Sequence, residues 1–160
     1  REDDYGGTLE NRARFLLEAT DEVIKVWGAD RVGVHLAPRC DFHSMGDSNP
    51  LATFGYVVRQ LNERNIAFIF TREHQAGDSI SPQLRKMFKG VFIGNEGFTK
   101  ESASLALQSG LVDAVAFGKA FIANPDLVHR FKVNAPLNSP NLETFYTFTK
   151  EGYTDYPTSP

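Results

Sequence analysis

The sequence predicts an α/β fold, half of a (β/α)8 barrel, on three observations. Four short runs, each near-continuously apolar, alternate with helix-like stretches. That alternation marks a parallel sheet with crossover helices. The last two runs, Val91-Phe92-Ile93-Gly94-Asn95 and Ala114-Val115-Ala116-Phe117-Gly118-Lys119, each reach a glycine and then enter a helix. Paired units of this kind build a phosphate cradle from the loops after the seventh and eighth strands of such a barrel. Glycine lets bare backbone N–H groups approach the anion, and the next helix adds its positive end. The fingerprint GxGxxG of a dinucleotide-binding sheet is absent, and Gly94-Asn95-Glu96-Gly97 is not that motif. An open doubly wound sheet, with glycine used only to leave a strand, is the alternative.

Each element has a local reason. Tyr5-Gly6-Gly7 reads as a turn, and Thr8 is a good N-cap for a helix running to Gly28. Its apolar positions Phe15, Leu16, Ala19, Val23, Val26 and Trp27 recur at helical spacing. Arg31 to Leu36 is a β-branched strand, and Arg39 to Asn49 a polar loop. Pro50 fits the first turn of a helix to about Asn65. Ile66 to Phe70 is the second strand, followed by a polar loop from Thr71 to Ser81 and a helix from Pro82 to Phe88. After the strand at Val91, Thr99 caps a helix from Lys100 to Ser109 that stops at Gly110. Ala114 to Phe117 is the last strand, and a helix from about Asn124 to Phe131 follows it. The tail from Lys132 to Pro160 is turn-rich but holds Phe145, Tyr146, Phe148, Tyr153 and Tyr156, which implies that it packs against something.

Bulk properties narrow the function. The 160 residues suffice for one domain with a real core, read as a single segment over 1–160. A net charge of −3 gives no nucleic-acid footprint. No apolar run approaches the ~18 residues needed to span a bilayer, so no membrane partner is expected. The single cysteine, Cys40, excludes an intramolecular disulfide and a CxxC metal site, and points to a reducing, cytoplasmic setting. The spacing of His35, His43 and His74 does not support a metal site.

Four motifs carry a resemblance. Tyr5-Gly6-Gly7-Thr8-Leu9-Glu10-Asn11-Arg12-Ala13-Arg14-Phe15 is the first, and Arg31-Val32-Gly33-Val34-His35-Leu36-Ala37-Pro38 the second. The third runs from Ala116-Phe117-Gly118-Lys119 to Asn124-Pro125-Asp126-Leu127. The fourth joins Thr144-Phe145-Tyr146 to Gly152-Tyr153-Thr154-Asp155-Tyr156-Pro157. Together, in order and spacing, they resemble the old yellow enzyme family, its bacterial ene-reductase branch above all, over essentially the whole chain. The resemblance implies the C-terminal half of a (β/α)8 barrel, strands five to eight, from an FMN-dependent oxidoreductase. In that family NAD(P)H is the reductant, and activated alkenes such as enones, maleimides and nitro compounds are reduced.

The same resemblance assigns sites. His35, Gly94, Asn95, Gly118, Lys119 and Phe145 fall at cofactor-binding positions, and His43 and Tyr146 at substrate-lining ones. No catalytic residue is expected in this chain, because the family's carbonyl-binding pair and proton-donating tyrosine belong to the first half of the barrel. Two positions depart from the family pattern: arginine is usual where His35 and Lys119 stand. Histidine offers one donor in place of a fixed cation, and lysine loses the bidentate fork. Each change is expected to weaken FMN binding by about 1–3 kcal/mol if buried. Glu73 closes the second strand, where a capping or ion-pair role competes with a catalytic one. The expected partners are a small-molecule substrate and either the N-terminal half-barrel or a second copy of the chain, because half a barrel leaves two strand edges unpaired. The alternative function is a catalytically inactive half-barrel that serves as a binding or structural module.

Overall fold

A capped helix opens the chain. In the computed structural model, which describes residues 1–40 and 45–159, the Thr8 hydroxyl accepts from the Asn11 amide and starts α1, Leu9–Trp27. Gly28, at φ 80°, ends it in a backbone conformation that few other residues adopt. A 3-10 turn over Ala29–Arg31, not expected from the sequence, then leads into β1, Gly33–Leu36. Asn49 caps α2, Pro50–Glu63, with proline in the first turn. There follow β2 (Phe68–Arg72), α3 (Ser81–Met87), β3 (Val91–Asn95), α4 (Lys100–Gln108) and β4 (Ala114–Ala116). β2 starts two residues later and ends two residues later than the apolar run suggests, because Thr71 and Arg72 still pair with Gly94 and Asn95.

All strand pairs are parallel and the strand order is β1-β2-β3-β4. A doubly wound sheet reverses its strand order at a switch point. The unbroken sequential order has no such reversal and is the order of a barrel segment.

The first three strands alternate strictly. Val34, Leu36, Ile69, Thr71, Phe92 and Gly94 are buried, while the residues between them are exposed or half-buried. Of these, Val34, Leu36, Ile69 and Phe92 pack with Ala13 and Leu17 of α1, Val57, Val58 and Leu61 of α2, Leu84 of α3 and Ala106 of α4 in one apolar cluster. Helices therefore cover one face of the sheet. The other face carries Gly33, His35, Phe68, Phe70, Arg72, Val91, Ile93 and Asn95. Polar ties set the angles between elements: Arg64 grips Asp21 with Nε at 2.6 Å and Nη2 at 2.9 Å, joining the end of α2 to α1. That hydrogen bond holds the Asp21 carboxyl below its ordinary value. Asp113 accepts from the Phe92 amide at 2.8 Å and pairs with Arg85, which fixes the entry to β3.

The chain divides into two compact units, Arg1–Ala116 and Phe117–Pro160. The second holds α5 (Lys119–Ala123), α6 (Leu127–Val133) and the tail. The sequence suggests one helix from Asn124; the structure has two short ones, separated at Asn124-Pro125-Asp126, because a proline cannot continue a helix at that point. The tail is held by polar groups more than by its aromatics. The buried Arg130 donates to Asp126, to the Pro136 carbonyl and to the Pro157 carbonyl. The Asn138 backbone amide donates to Asn124 Oδ1, Asn124 Nδ2 donates to the Ala120 carbonyl, and Ser159 donates twice to Asp126. Burial pushes the Asp126 carboxyl up, but the bonds from Arg130 and Ser159 outweigh it and hold the group well below its ordinary value. Of the tail aromatics, Phe145 is buried while Tyr146, Phe148 and Tyr153 are exposed.

Phe92 is fully buried at the centre of the sheet and Phe15 stands 71% exposed on α1. Phe92→Ala is expected to lower unfolding free energy by about 3–5 kcal/mol, and Phe15→Ala to change it by less than about 0.5 kcal/mol. Urea unfolding of both variants checks this.

Candidate functional site

The register stacks the uncovered face of the sheet in rows. Gly33, Phe68 and Val91 form the lowest, and a Cβ on Gly33 would lie 2.2 Å from the Phe68 ring, so glycine lets that ring lie flat over β1. His35, Phe70, Ile93 and Ala114 form the middle row. Arg72, Asn95 and Ala116 form the row at the C-terminal ends of the strands, where barrel enzymes place their chemistry.

His35 points to this open face. Its ring meets Phe70 edge-on, with centroids 4.6 Å apart. Partial burial, and then the charge of Arg72, hold its imidazole below the ordinary value, so it is a neutral group at pH 7. Asn95 donates from Nδ2 to the Ala116 carbonyl at 2.7 Å, which ties the ends of β3 and β4 together. Gly94 lies inside β3 and faces the helices: a Cβ there would stand 2.9 Å from Val112 and 3.1 Å from the Phe98 ring. Close packing thus accounts for this glycine.

Gly118 and Lys119 begin α5, and both are exposed. No atom of the described residues lies within 4 Å of the place a Cβ on Gly118 would occupy. Phe145 is buried and meets Tyr146 edge-on at 6.2 Å, while Tyr146 itself is 83% exposed. The substrate-lining position expected at His43 lies outside the described residues. Among the described residues, no group of three or more His, Cys, Asp or Glu side chains is placed to hold a metal ion.

Glu73 resolves in favour of capping. Its buried carboxylate accepts from the Ser79 hydroxyl at 2.7 Å, the Ile80 amide at 2.9 Å, the Ser81 amide at 2.9 Å and the Ser81 hydroxyl. Ile80, the residue preceding α3, has no side chain able to cap it, so Glu73 does so from the end of β2. Arg39, from the loop after β1, approaches Glu73 at 3.7 Å and pairs with Asp78 at 2.7 Å. The Arg39–Glu73 link between two loops was not foreseen. Its sequence signal is the cluster Glu73, Ser79 and Ser81, three groups with matching donors and acceptors. Arg72 and Glu96, 3.1 Å apart at the same end of the sheet, were missed as well.

Each unit by itself offers groups that suit part of a flavin nucleotide. The open face offers a flat apolar area, Phe70 and Ile93, below a polar row. In the second unit, Gly118 leaves its backbone without a side chain and Lys119 beside it is an exposed cation.

A sequential parallel sheet with polar groups at the C-terminal strand ends is the layout of a (β/α)8-barrel enzyme. The chain belongs to the NADH:flavin oxidoreductase / NADH oxidase family, whose model matches residues 1–138. It is 45% identical over 167 residues to 12-oxophytodienoate reductase 2 of Arabidopsis thaliana, which covers 98% of this chain and 44% of that protein. A probable flavin mononucleotide-dependent alkene reductase of Leishmania infantum is 44% identical over 163 residues, again across 98% of this chain and 44% of its own length. Morphinone reductase in complex with tetrahydroNAD superposes with a TM-score of 0.93 at 41% identity, over 100% of this chain and 44% of that one. An old yellow enzyme homologue from Zymomonas mobilis gives 0.93 at 42%, over 98% and 46%. The chain thus spans less than half the length of the relatives it matches.

Replacing Glu73 by Gln keeps its size but leaves one acceptor oxygen facing four donors. Glu73→Gln is expected to cost about 2–4 kcal/mol and to expose the Ile80 and Ser81 amides to exchange. Amide hydrogen exchange with a urea titration measures both.

Proposed function

We propose that the chain is the FMN-binding C-terminal half of an NAD(P)H-dependent reductase of activated C=C bonds in enones, maleimides and nitro compounds. The observation that carries this reading is the uncovered sheet face: an apolar floor with polar groups at the C-terminal strand ends, in a chain of the flavin oxidoreductase family. When bound, FMN supplies the hydride that it takes from NAD(P)H.

Several residues serve it. Gly94, Asn95, Gly118 and Lys119 hold the phosphate end, with Lys119 as a point charge. Phe145 packs against the flavin edge, and His35 lies beside the ring as a neutral donor. Tyr146 and His43 line the substrate mouth. A substrate clamp and a proton donor come from the rest of the barrel, so the chain alone does not turn over. The free thiol of Cys40 suits a reducing, cytoplasmic setting.

The uncovered face and the two outer strands also favour association. Phe68 and Val91 are exposed on that face, and Phe15, Val26 and Trp27 on α1. Apolar area of this kind is covered by a partner in most proteins. The partner is the other half of the barrel or a second copy of the chain, the first fitting better because inner-face side chains are shaped to meet a different half. An inactive binding module is the second reading, favoured by the neutral His35 where a cation serves a reduced flavin best.

Two outcomes check this. Purified with the complementary half, the protein is expected to be yellow, and His35→Arg to raise the potential of the bound flavin, since a fixed cation favours the anionic reduced ring; a colourless complex supports the inactive module. Alone, the 160-residue chain is expected to sediment above monomer mass. A cooperative, freely monomeric chain refutes the association.

A further inference from the structure

Within the second unit, a cleft of about 360 Å³ opens between α6 and the tail. Val133, Ala135, Pro136 and Pro157 give it apolar walls, and among the described residues no acidic side chain lines it. A space of this size suits a small organic molecule. Arg130 lines it as well, although only 5% of that residue is exposed. Each Nη of a guanidinium carries a pair of hydrogens. Here Nη1 donates to the Pro136 carbonyl and Nη2 to the Pro157 carbonyl, so on each Nη the second hydrogen has no acceptor among the described residues. A buried donor left without an acceptor is costly. Asp126, which balances the charge, bonds Nε and Ser159 and does not line the cleft.

We infer that this cleft is a binding site for a small monocarboxylate with an apolar body. The carboxylate oxygens accept from the spare Nη hydrogens of Arg130, and charge-assisted bonds of this kind are the strong ones. The apolar body lies against Val133, Ala135, Pro136 and Pro157. A phosphate dianion is served less well, because the guanidinium is already committed to Asp126 and to the carbonyls of Pro136 and Pro157, and the walls add no donors. A neutral amide offers a weaker acceptor than a carboxylate. The site stands apart from the FMN reading: every lining residue belongs to the second unit, and none is assigned to the cofactor or its substrate.

Benzoate and benzamide share one ring and differ in charge, so titrating each into the isotope-labelled chain separates the possibilities. The backbone amides of His129, Ala135, Asn138 and Ser159 report binding by their NMR shifts. Benzoate is expected to shift them saturably and to bind at least about tenfold more tightly than benzamide or inorganic phosphate. Val133 is exposed, so Val133→Trp fills the cleft without touching the core, and it is expected to abolish the shifts. Arg130→Lys keeps the charge and loses the fork, and it is expected to bring benzoate down to the affinity of benzamide. Circular dichroism reports the folding of each variant, and Val133→Trp keeps the test open if Arg130→Lys unfolds. Equal affinity for benzoate and benzamide, or for benzoate and phosphate, overturns the carboxylate assignment. Shifts that survive Val133→Trp place binding elsewhere and overturn the site, as does a wild-type chain that shows no saturable shift. None of these outcomes touches the FMN reading, which rests on other residues.

Discussion

The register between β2 and β3 governs what the rest of the chain can do. Ile69 stands beside Phe92 and Thr71 beside Gly94, so one set of alternate residues meets the helices. Phe70, Ile93, Arg72 and Asn95 then fall on the other face together. A slip by one residue would exchange the two sets, putting Arg72 among the helices and Phe92 in the open. The cost of burying an unpaired guanidinium forbids that. The site is therefore a by-product of the core: the helices select Ile69, Phe92 and Val34, and the polar row at the strand ends follows from the pleat.

The same logic explains the unusual amount of apolar surface. α1 shows the helices two different sides. Ala13, Leu17 and Thr20 are buried, whereas Phe15, Val23, Val26 and Trp27 are exposed on the remaining turns. A helix of an isolated domain needs one apolar stripe, and a helix between two neighbours needs two. The uncovered sheet face tells the same story with Phe68 and Val91. The chain spans 44% of the length of the relative that matches 98% of it.

Most of the architecture was legible because it is written in periodicities. Strand-helix alternation, Thr8 and Thr99 as caps, and Gly28 and Gly110 as stops are local signals, each with one physical cause. The choice between a barrel segment and a doubly wound sheet was not local. It turns on strand order, which no run of residues encodes, and the absence of a glycine fingerprint only inclined the balance. Site residues were legible as types but not as tasks. Glu73 stood out at the end of a strand, yet its task depends on Ser79, Ile80 and Ser81 folding back onto it and on Arg39 arriving from another loop. Arg72 gave no signal, because a charged residue after an apolar run looks like the end of a strand rather than its last inward position. In the tail, aromatic content suggested apolar packing, while Arg130 and Asp126 hold it through hydrogen bonds that composition does not reveal.

The two glycines that first drew attention show where a sequence signal and its cause part. Gly94 and Gly118 occupy equivalent places in two successive strand-turn-helix units, and the sequence treats them alike. In the structure they differ. Gly94 is demanded from behind, by Val112 and the Phe98 ring pressing on the helix-facing side of β3. Among the described residues nothing demands Gly118, since a Cβ there meets only open space and its φ of −93° suits any residue. A glycine required by packing constrains the fold and would be needed with or without a ligand. Gly94 thus belongs to the packing of β3, next to Asn95, which reaches the Ala116 carbonyl at 2.7 Å.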